Sequence, residues 1–436
     1  MIFDIKIVIE MKFMKRVVIT GLGVVAPNGV GLDAFLKAIQ NGISGIQHDA
    51  ELERLQFSCQ ISGTPTISEE LKRNYFTELE LRNFNSTGIL YGVIAGLEAW
   101  KDAGLTIEKN ENPDWDSGTI FGTGTSGIEK FRESIYKIDA FETRKLGSTA
   151  VAQTMNSGVS AYLGGKLGLG NIVSTNSSAC TTGVESILMA FDRIQSGKAK
   201  RILAGSTSDS GPYIWGGFDA MKVCTYKHNT SPESGSRPMS ASASGFVPGS
   251  GCGALILEDL ETALARNAKI YCEVLGGNVN SGGQRGLGTM TAPNPVAVQK
   301  CIKDALENAG IQPNEIDTIN GHLTATSKDA LEIENWSEAL GLKGNYFPEI
   351  NSLKSMVGHC LSASGSIESV ASVLQLHHNF IFPNINCEDL NPTILEFIDS
   401  SKIPQKLIKK EINCIAKASF GFGDVNACVV FKSLVI

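Results

Sequence analysis

Histidine is scarce in this 436-residue chain, with six in all, at positions 48, 228, 322, 359, 377 and 378. Any chemistry that uses imidazole must draw on that short list. Cysteine pairs at metal or redox spacing are absent: the ten cysteines, at 59, 180, 224, 252, 272, 301, 360, 387, 414 and 428, include no C-x-x-C. This excludes the common zinc and dithiol motifs, and the length excludes a small disulfide-stapled module; reduced thiols in a cytoplasmic protein are expected. Runs of Lys and Arg are also missing. With a net charge of -7 and a pI of about 5.5, the chain lacks the basic surface that neutralises nucleic-acid phosphates. The opening MIFDIKIVIEMKFM is short, is interrupted by Asp4, Lys6 and Glu10, and has no small-residue cleavage site, so neither a signal peptide nor a membrane span fits. Residues 1–13 are expected to be an extra or flexible segment, with Met11 and Met14 as alternative starts. No short-period repeat and no Pro- or Ser-rich linker divides the sequence.

What is present is a globular balance, 42% apolar and 19% charged, over a length that can bury a large core. Short β-branched segments alternate with amphipathic ones, the signature of an α/β protein. RVVITGLG reads as a strand and turn, LDAFLKAIQNG as a helix closed by Gly42, and STGILYGVIAGLEAWKDAG as a helix buried on most faces. GTIFGTGTSG reads as a strand ending in a Gly/Thr loop. After Cys180, the residues Val184, Ile187, Leu188, Phe191 and Ile194 recur at helical spacing up to Gly197, and the strand RILAGST follows. The same rhythm restarts beyond residue 270 with KIYCEVLGGNVN as a strand, PVAVQKCIKDALENAG as a helix and TINGHLTAT as a strand tip with its loop. Two similar halves are expected, residues 14–265 and 266–436. Residues 225–252 are rich in Ser, Gly and Pro, but Arg237, Phe246 and Val247 mark them as an ordered loop rather than a tether.

Four segments carry candidate chemistry. VVITGLGVVA contains a G-x-G-x-x-A pattern after a strand, but no helix opens on its glycines and no acidic residue ends a second strand about 20 positions on; a tight turn packed under the site is expected instead of a dinucleotide site. Cys180, in NSSACTTGVES, stands at a strand-to-helix junction. There, unpaired amides and the helix dipole favour a thiolate, and small neighbours leave room for an acyl group. Burial as core filling is the competing role for any free cysteine. A nucleophilic cysteine commonly needs imidazole help. His48, His228, His377 and His378 are expected at the surface, whereas His322 and His359 each stand at a strand or loop tip before a run of small residues, and Lys354 adds a cation beside His359. No carboxylate or cysteine stands at H-x-x-x-H or H-E-x-x-H spacing to either histidine, so a metal site is not expected. KASFGFGDVNA can form a flexible turn with aromatic gates or an ordinary hairpin end.

Taken in order, these segments closely resemble the β-ketoacyl-acyl carrier protein synthases, from KRVVITGLGVVAPNG at residue 15 to ASFGFGDVNACVVF ending at 431. The resemblance implies a thiolase-like α/β fold of five layers, αβαβα, built from two related halves. It also implies a homodimer acting on carrier-bound acyl and malonyl groups, without a cofactor. By position in the family pattern, Cys180 resembles the acylated nucleophile, His322 and His359 the histidines that handle malonyl decarboxylation, Lys354 the lysine supporting them, and Glu332 its carboxylate partner. Phe422 resembles the gate residue whose amide joins that of Cys180 in an oxyanion hole, with Phe420 in support. Thr324 and Thr326 match substrate-binding positions, and Thr125 the site where side-chain bulk limits acyl length near the dimer interface. Lys222, Arg144 and Lys145 match a cationic patch for the acidic carrier protein.

Three departures from the pattern stand out. His322-Leu323-Thr324-Ala325-Thr326 carries a leucine beside the histidine, expected to narrow the malonyl end, with a loop to Asp329 one residue shorter. Gly421-Phe422-Gly423-Asp424-Val425-Asn426 replaces a Gly-Gly-Thr-Asn ending, and Ser244 replaces an acid. They point toward a specialised polyene or polyketide pathway as much as toward fatty acid synthesis. The alternatives are a chain-length-factor subunit, which would lack the reactive cysteine, and a coenzyme A thiolase, which would need a second catalytic cysteine where Cys414 and Cys428 do not match.

Overall fold

The computed structural model describes residues 14–107 and 111–435, so the expectations for residues 1–13 lie outside the described residues. Eleven strands form one hydrogen-bonded sheet: β1 (Val17–Ala26), β2 (Gly29–Val30), β3 (Ser117–Thr123), β4 (Val173–Ser174), β5 (Arg201–Ser208), β6 (Gly251–Asp259), β7 (Cys272–Ser281), β8 (Thr318–Asn320), β9 (Glu349–Asn351), β10 (Cys414–Gly421) and β11 (Val425–Lys432). Leaving aside β2, which pairs only with β1, the spatial order is β9-β8-β10-β11-β7-β1-β6-β5-β3-β4. Outward from the centre, β1-β6-β5-β3-β4 and β7-β11-β10-β8-β9 repeat the same sequence of antiparallel and then parallel neighbours. The two units join where Val17, Val18 and Ile19 pair antiparallel with Val274, Glu273 and Cys272.

Helices complete the layers. Thr87–Asp102 and Gly158–Leu167 cover the outer face of the first unit, and Pro295–Ala309 and Asp329–Leu340 that of the second. Between the two units lie Thr182–Gln195 and Ser364–His378, which pack on each other and on strands from both. Their position explains their sequences. A helix in the central layer is buried all round, and every residue from Ser364 to Leu376 is buried. Among the described residues, no helix is long and apolar enough to cross a membrane.

The strand-and-turn reading of RVVITGLG fails at the turn. Strand β1 runs on through both glycines to Ala26, fully buried, with a bulge at Thr20. Its glycines serve packing, because a Cβ at Gly21 would stand 2.2 Å from the Ala99 carbonyl oxygen and one at Gly23 1.9 Å from that of Ala95. Helix Thr87–Asp102 therefore lies directly on bare backbone, and the dinucleotide-like pattern is a helix-docking groove.

Candidate active site

Cys180 lies in a single 3-10 turn, Ala179–Thr181, leading into helix Thr182–Gln195. Local hydroxyls shape that turn: the Ser178 amide donates to Thr182 Oγ1 at 2.9 Å, Thr182 Oγ1 donates to the Ala179 carbonyl at 2.6 Å, and Thr181 Oγ1 to that of Ser178 at 2.6 Å. Ala179 is held at φ 49°, a left-handed conformation unusual for a residue with a side chain. Gly183 lets the central helices meet, since a Cβ there would stand 2.3 Å from the Ser366 nitrogen. The amides of Phe422 and of Cys180 itself face the sulfur and stabilise a thiolate, as does the Lys354 charge. Burial outweighs them and pushes the thiol up to about 11. The helix-terminal position was expected to favour a thiolate, and burial at this junction opposes it.

His322 follows β8, and its backbone amide donates to Glu332 Oε1 at 2.6 Å while that of Leu323 donates to Glu332 Oε2 at 2.7 Å. The His322 ring is buried, with no hydrogen-bond partner for Nδ1 among the described residues. His359 is clasped by the 225–252 loop: its amide donates to the Val247 carbonyl at 2.7 Å, and its carbonyl accepts from the Gly249 amide at 2.9 Å. His359 Nδ1 accepts from the Leu361 amide at 3.1 Å and lies 3.0 Å from Ser364 Oγ. An acceptor Nδ1 puts the proton of the neutral ring on Nε2, leaving that nitrogen as a donor. Burial, then the charges of Lys354 and Lys417, hold both histidines well below the usual imidazole range, so they are neutral at neutral pH.

The sulfur and one ring nitrogen of each histidine lie within 4.8 Å of one another. That donor set also suits a soft divalent ion. The Lys354 and Lys417 charges that act on both histidines instead make the position favourable to an anion, as an oxyanion or enolate would be. A cavity of about 210 Å³ opens on the triad, with apolar walls from Phe218, Val223, Phe246, Val298, Leu331 and Phe420, and Thr324 and Thr326 also line it. The half-buried Phe422 ring lies 5.9 Å from that of Phe218 between centroids, closing an aromatic series that runs through Phe246 to His359. Phe420 stands 6.1 Å from His322.

Several expectations need correction. The carboxylate paired with Lys354 is Glu368, one helix away, and not Glu332. Glu332 instead orients the backbone of His322 and Leu323, and burial together with the Asp329 charge pushes it up to about 7. Leu323 is fully buried in one apolar cluster with Ile319, Ile333 and Trp336 and does not line the cavity, so it does not narrow the malonyl end. Thr125 is exposed in the single chain and lies outside the cavity lining. Lys222 is exposed one residue from cavity-lining Val223, while Arg144 and Lys145 are exposed on a separate short turn, where Lys145 meets Glu142 at 2.6 Å.

Sequence reasoning missed three groups. Asp329 gathers the Thr324 and Ala325 amides at 2.9 and 3.1 Å, shaping the threonine loop. Glu368 stands alone among small and apolar residues in SGSIESVASVL, and Lys417 alone in CIAKASFG. A single charge inside an otherwise buried element was the available signal. Of the departures, Ser244 meets Thr225 Oγ1 at 2.6 Å, and Asp424 accepts from the Gln284 and Asn294 amides at 2.8 and 2.7 Å, tying the gate turn to the loop that carries Thr291 and Pro293 to the cavity.

Comparison with known proteins agrees with this geometry. The family models for the β-ketoacyl synthase N-terminal and C-terminal domains match residues 14–263 and 271–388. The 3-oxoacyl-[acyl-carrier-protein] synthase 1 of Escherichia coli K12 is 33% identical over 426 residues, covering 97% of this chain and 100% of that protein. A solved β-ketoacyl synthase from Burkholderia phymatum superposes with a TM-score of 0.86 at 26% identity, over 97% of this chain and 100% of that one. A ketosynthase solved as part of a type II PKS complex with its acyl-carrier protein gives 0.84 at 28% identity, over 97% and 100%.

Proposed function

The chain belongs to the β-ketoacyl synthase family, and from that premise we propose that it is a 3-oxoacyl-acyl carrier protein synthase, carrying an acyl chain on Cys180 and extending it by decarboxylative condensation with a malonyl-carrier. The observation that carries this reading is the convergence of Cys180, His322 and His359 within 4.8 Å at the floor of an apolar cavity.

In the first half-reaction the Cys180 thiol attacks the acyl thioester. Its proton passes by way of a neutral histidine to the departing carrier thiol, so the raised thiol pKa is met by deprotonation during attack. The Cys180 and Phe422 amides hold the tetrahedral oxyanion, each such donor being worth on the order of 3 kcal/mol. In the second, the malonyl carbon–carboxylate bond breaks and carbon dioxide leaves. The electron pair remains as an enolate whose oxygen receives N–H bonds from His322 and His359. The enolate carbon attacks the acyl carbon, the bond to sulfur breaks, and a 3-oxoacyl chain two carbons longer leaves on the carrier. Exclusion of water by the Phe218, Phe246 and Phe422 rings protects the acyl-enzyme.

The Thr324 and Thr326 hydroxyls suit the polar arm of the carrier. Lys222, near the mouth, with Arg144 and Lys145, is the proposed landing surface for an acidic carrier. The repeated strand order supports a division into halves 14–265 and 266–436. A thiolase-like second cysteine has no candidate here, since among the described residues Cys180 is the one cysteine lining the cavity.

Intact-mass analysis after incubation with a panel of acyl-carrier thioesters, then with malonyl-carrier, tests the reading. An adduct on Cys180 that discharges as a chain two carbons longer is expected, with none in C180A. Folded wild type that takes no acyl group from any primer overturns it in favour of a subunit that needs a catalytic partner.

A further inference from the structure

We propose that Lys417 is a positioning residue of the condensing reaction: a second buried ammonium that shares the Glu368 carboxylate with Lys354, and so fixes where Lys354, whose charge reaches His322 and His359, is held.

Lys417 sits in β10, the strand that leads into the Phe420-Gly421-Phe422 turn, and is completely buried. Its Nζ lies 2.7 Å from Glu368 Oε2, while Lys354 Nζ takes Oε1 of the same carboxylate. The Lys417 ammonium donates to the Ala418 carbonyl and, at 3.2 Å, to Ser419 Oγ, so its contact with Glu368 is a close ion pair rather than an aligned hydrogen bond. One carboxylate thus serves two lysines; burial lowers the Lys417 pKa and the Glu368 carboxylate opposes that, and with both ammoniums charged the trio carries a net positive charge. Such an arrangement is costly, and a methionine in the same volume would avoid the cost. The charge has a use at this place. Lys354 cannot turn toward both carboxylate oxygens, because Lys417 occupies the second, so its ammonium is confined to one side of Glu368.

The groups facing Lys417 come from several elements: Glu368 from the central helix, Lys354 from the short helix Lys354–Val357, Glu332 from helix Asp329–Leu340, His322 and His359 from their loops, and Cys428 from β11. Both histidines feel its charge, which opposes their protonation and favours an enolate beside them. Acyl transfer to Cys180 draws on the Lys354 charge and on the amides of Cys180 and Phe422, so it depends on Lys417 only through Lys354 and less than decarboxylation does.

The test compares wild type, K417M and K417R in two separate assays, acyl loading of Cys180 and carbon dioxide release from malonyl-carrier, across pH. In K417M, decarboxylation is expected to fall at least about tenfold, with loading within about threefold. Losing a positive neighbour raises the histidine pKa values, so the acid limb of decarboxylation moves to higher pH; K417R, which keeps the charge, restores it. Should K417M not fold, K417Q, neutral and polar, is read in the same way. Decarboxylation within about twofold of wild type, or a parallel loss of both half-reactions with an unmoved acid limb, overturns the inference and leaves Lys417 a structural ion. The inference rests on the condensing function proposed above. A wild type that releases no carbon dioxide overturns both, whereas an active wild type with an indifferent K417M overturns the inference alone.

Discussion

Glu332 shows how a single carboxylate can be placed for geometry at the expense of charge. Its oxygens accept the His322 and Leu323 amides at 2.6 and 2.7 Å, yet burial raises its pKa from an ordinary 4.5 to about 7. The native state therefore binds this proton more tightly than the unfolded chain does. The sign follows from linkage: its stabilising share is complete below about pH 4.5 and is lost as pH rises through about 7, at about 1.4 kcal/mol per unit of difference. E332Q cannot ionise, so urea midpoints are expected to show a wider deficit against wild type at pH 5 than at pH 8. A deficit that widens at pH 8 would mean that Glu332 is held as a paired carboxylate, the role the sequence suggested for it beside Lys354. The residues that converge were legible, because Cys180, His322, His359 and Lys354 each lie in a distinctive local run. Their partners were not, because Glu368 reaches Lys354 only through the packing of two helices, and no local pattern encodes that meeting.

At the scale of elements, helices Leu32–Gln40, Thr87–Asp102, Thr182–Gln195 and Pro295–Ala309 were legible from periodicity, and the buried stripe Val184, Ile187, Leu188, Phe191 and Ile194 lies where the spacing put it. The strand β1 was misread at its glycines, since turn chemistry and a helix-docking groove use the same residue. The contact that sets the site is a second groove of this kind, between the two central helices. Gly183 faces the Ser366 nitrogen, and any Cβ would also come within 2.6 Å of Ser206 Oγ. G183A must push helix Ser364–His378 away from helix Thr182–Gln195, and Cys180 and His359 stand at the leading ends of the two. A loss of about 1–3 kcal/mol of stability is expected from overpacking, read as a lower denaturation midpoint. Acylation of Cys180 is expected to fall more than tenfold in protein that is still folded, because a displacement of about 1 Å misaligns sulfur, imidazole and amides. Unchanged acylation in a destabilised G183A would show that the helices do not set this alignment.

For the whole molecule, helix Ile128–Asp139 is inside out. Its one buried side chain is Lys130, while Phe131, Ile135 and Ile138, spaced to share a face, are 54%, 45% and 51% exposed. Phe141, just beyond, is 97% exposed, and Val151 is 72% exposed. Apolar residues turned outward along one helix and its following turn are what a subunit interface leaves uncovered in a single chain. Thr125 is exposed three residues before this helix and outside the cavity lining, so a role for it in limiting acyl length requires that this face be a seam between two chains. Sedimentation of the purified chain is expected to give twice its 46.5 kDa mass, and F141D combined with V151D is expected to return it to monomer by placing two carboxylates in the seam. A folded wild type that sediments as a monomer would instead point to a different chain as the occupant of this face, and the acylation assay repeated with a co-purified partner would then decide between a homodimer and a heterodimer.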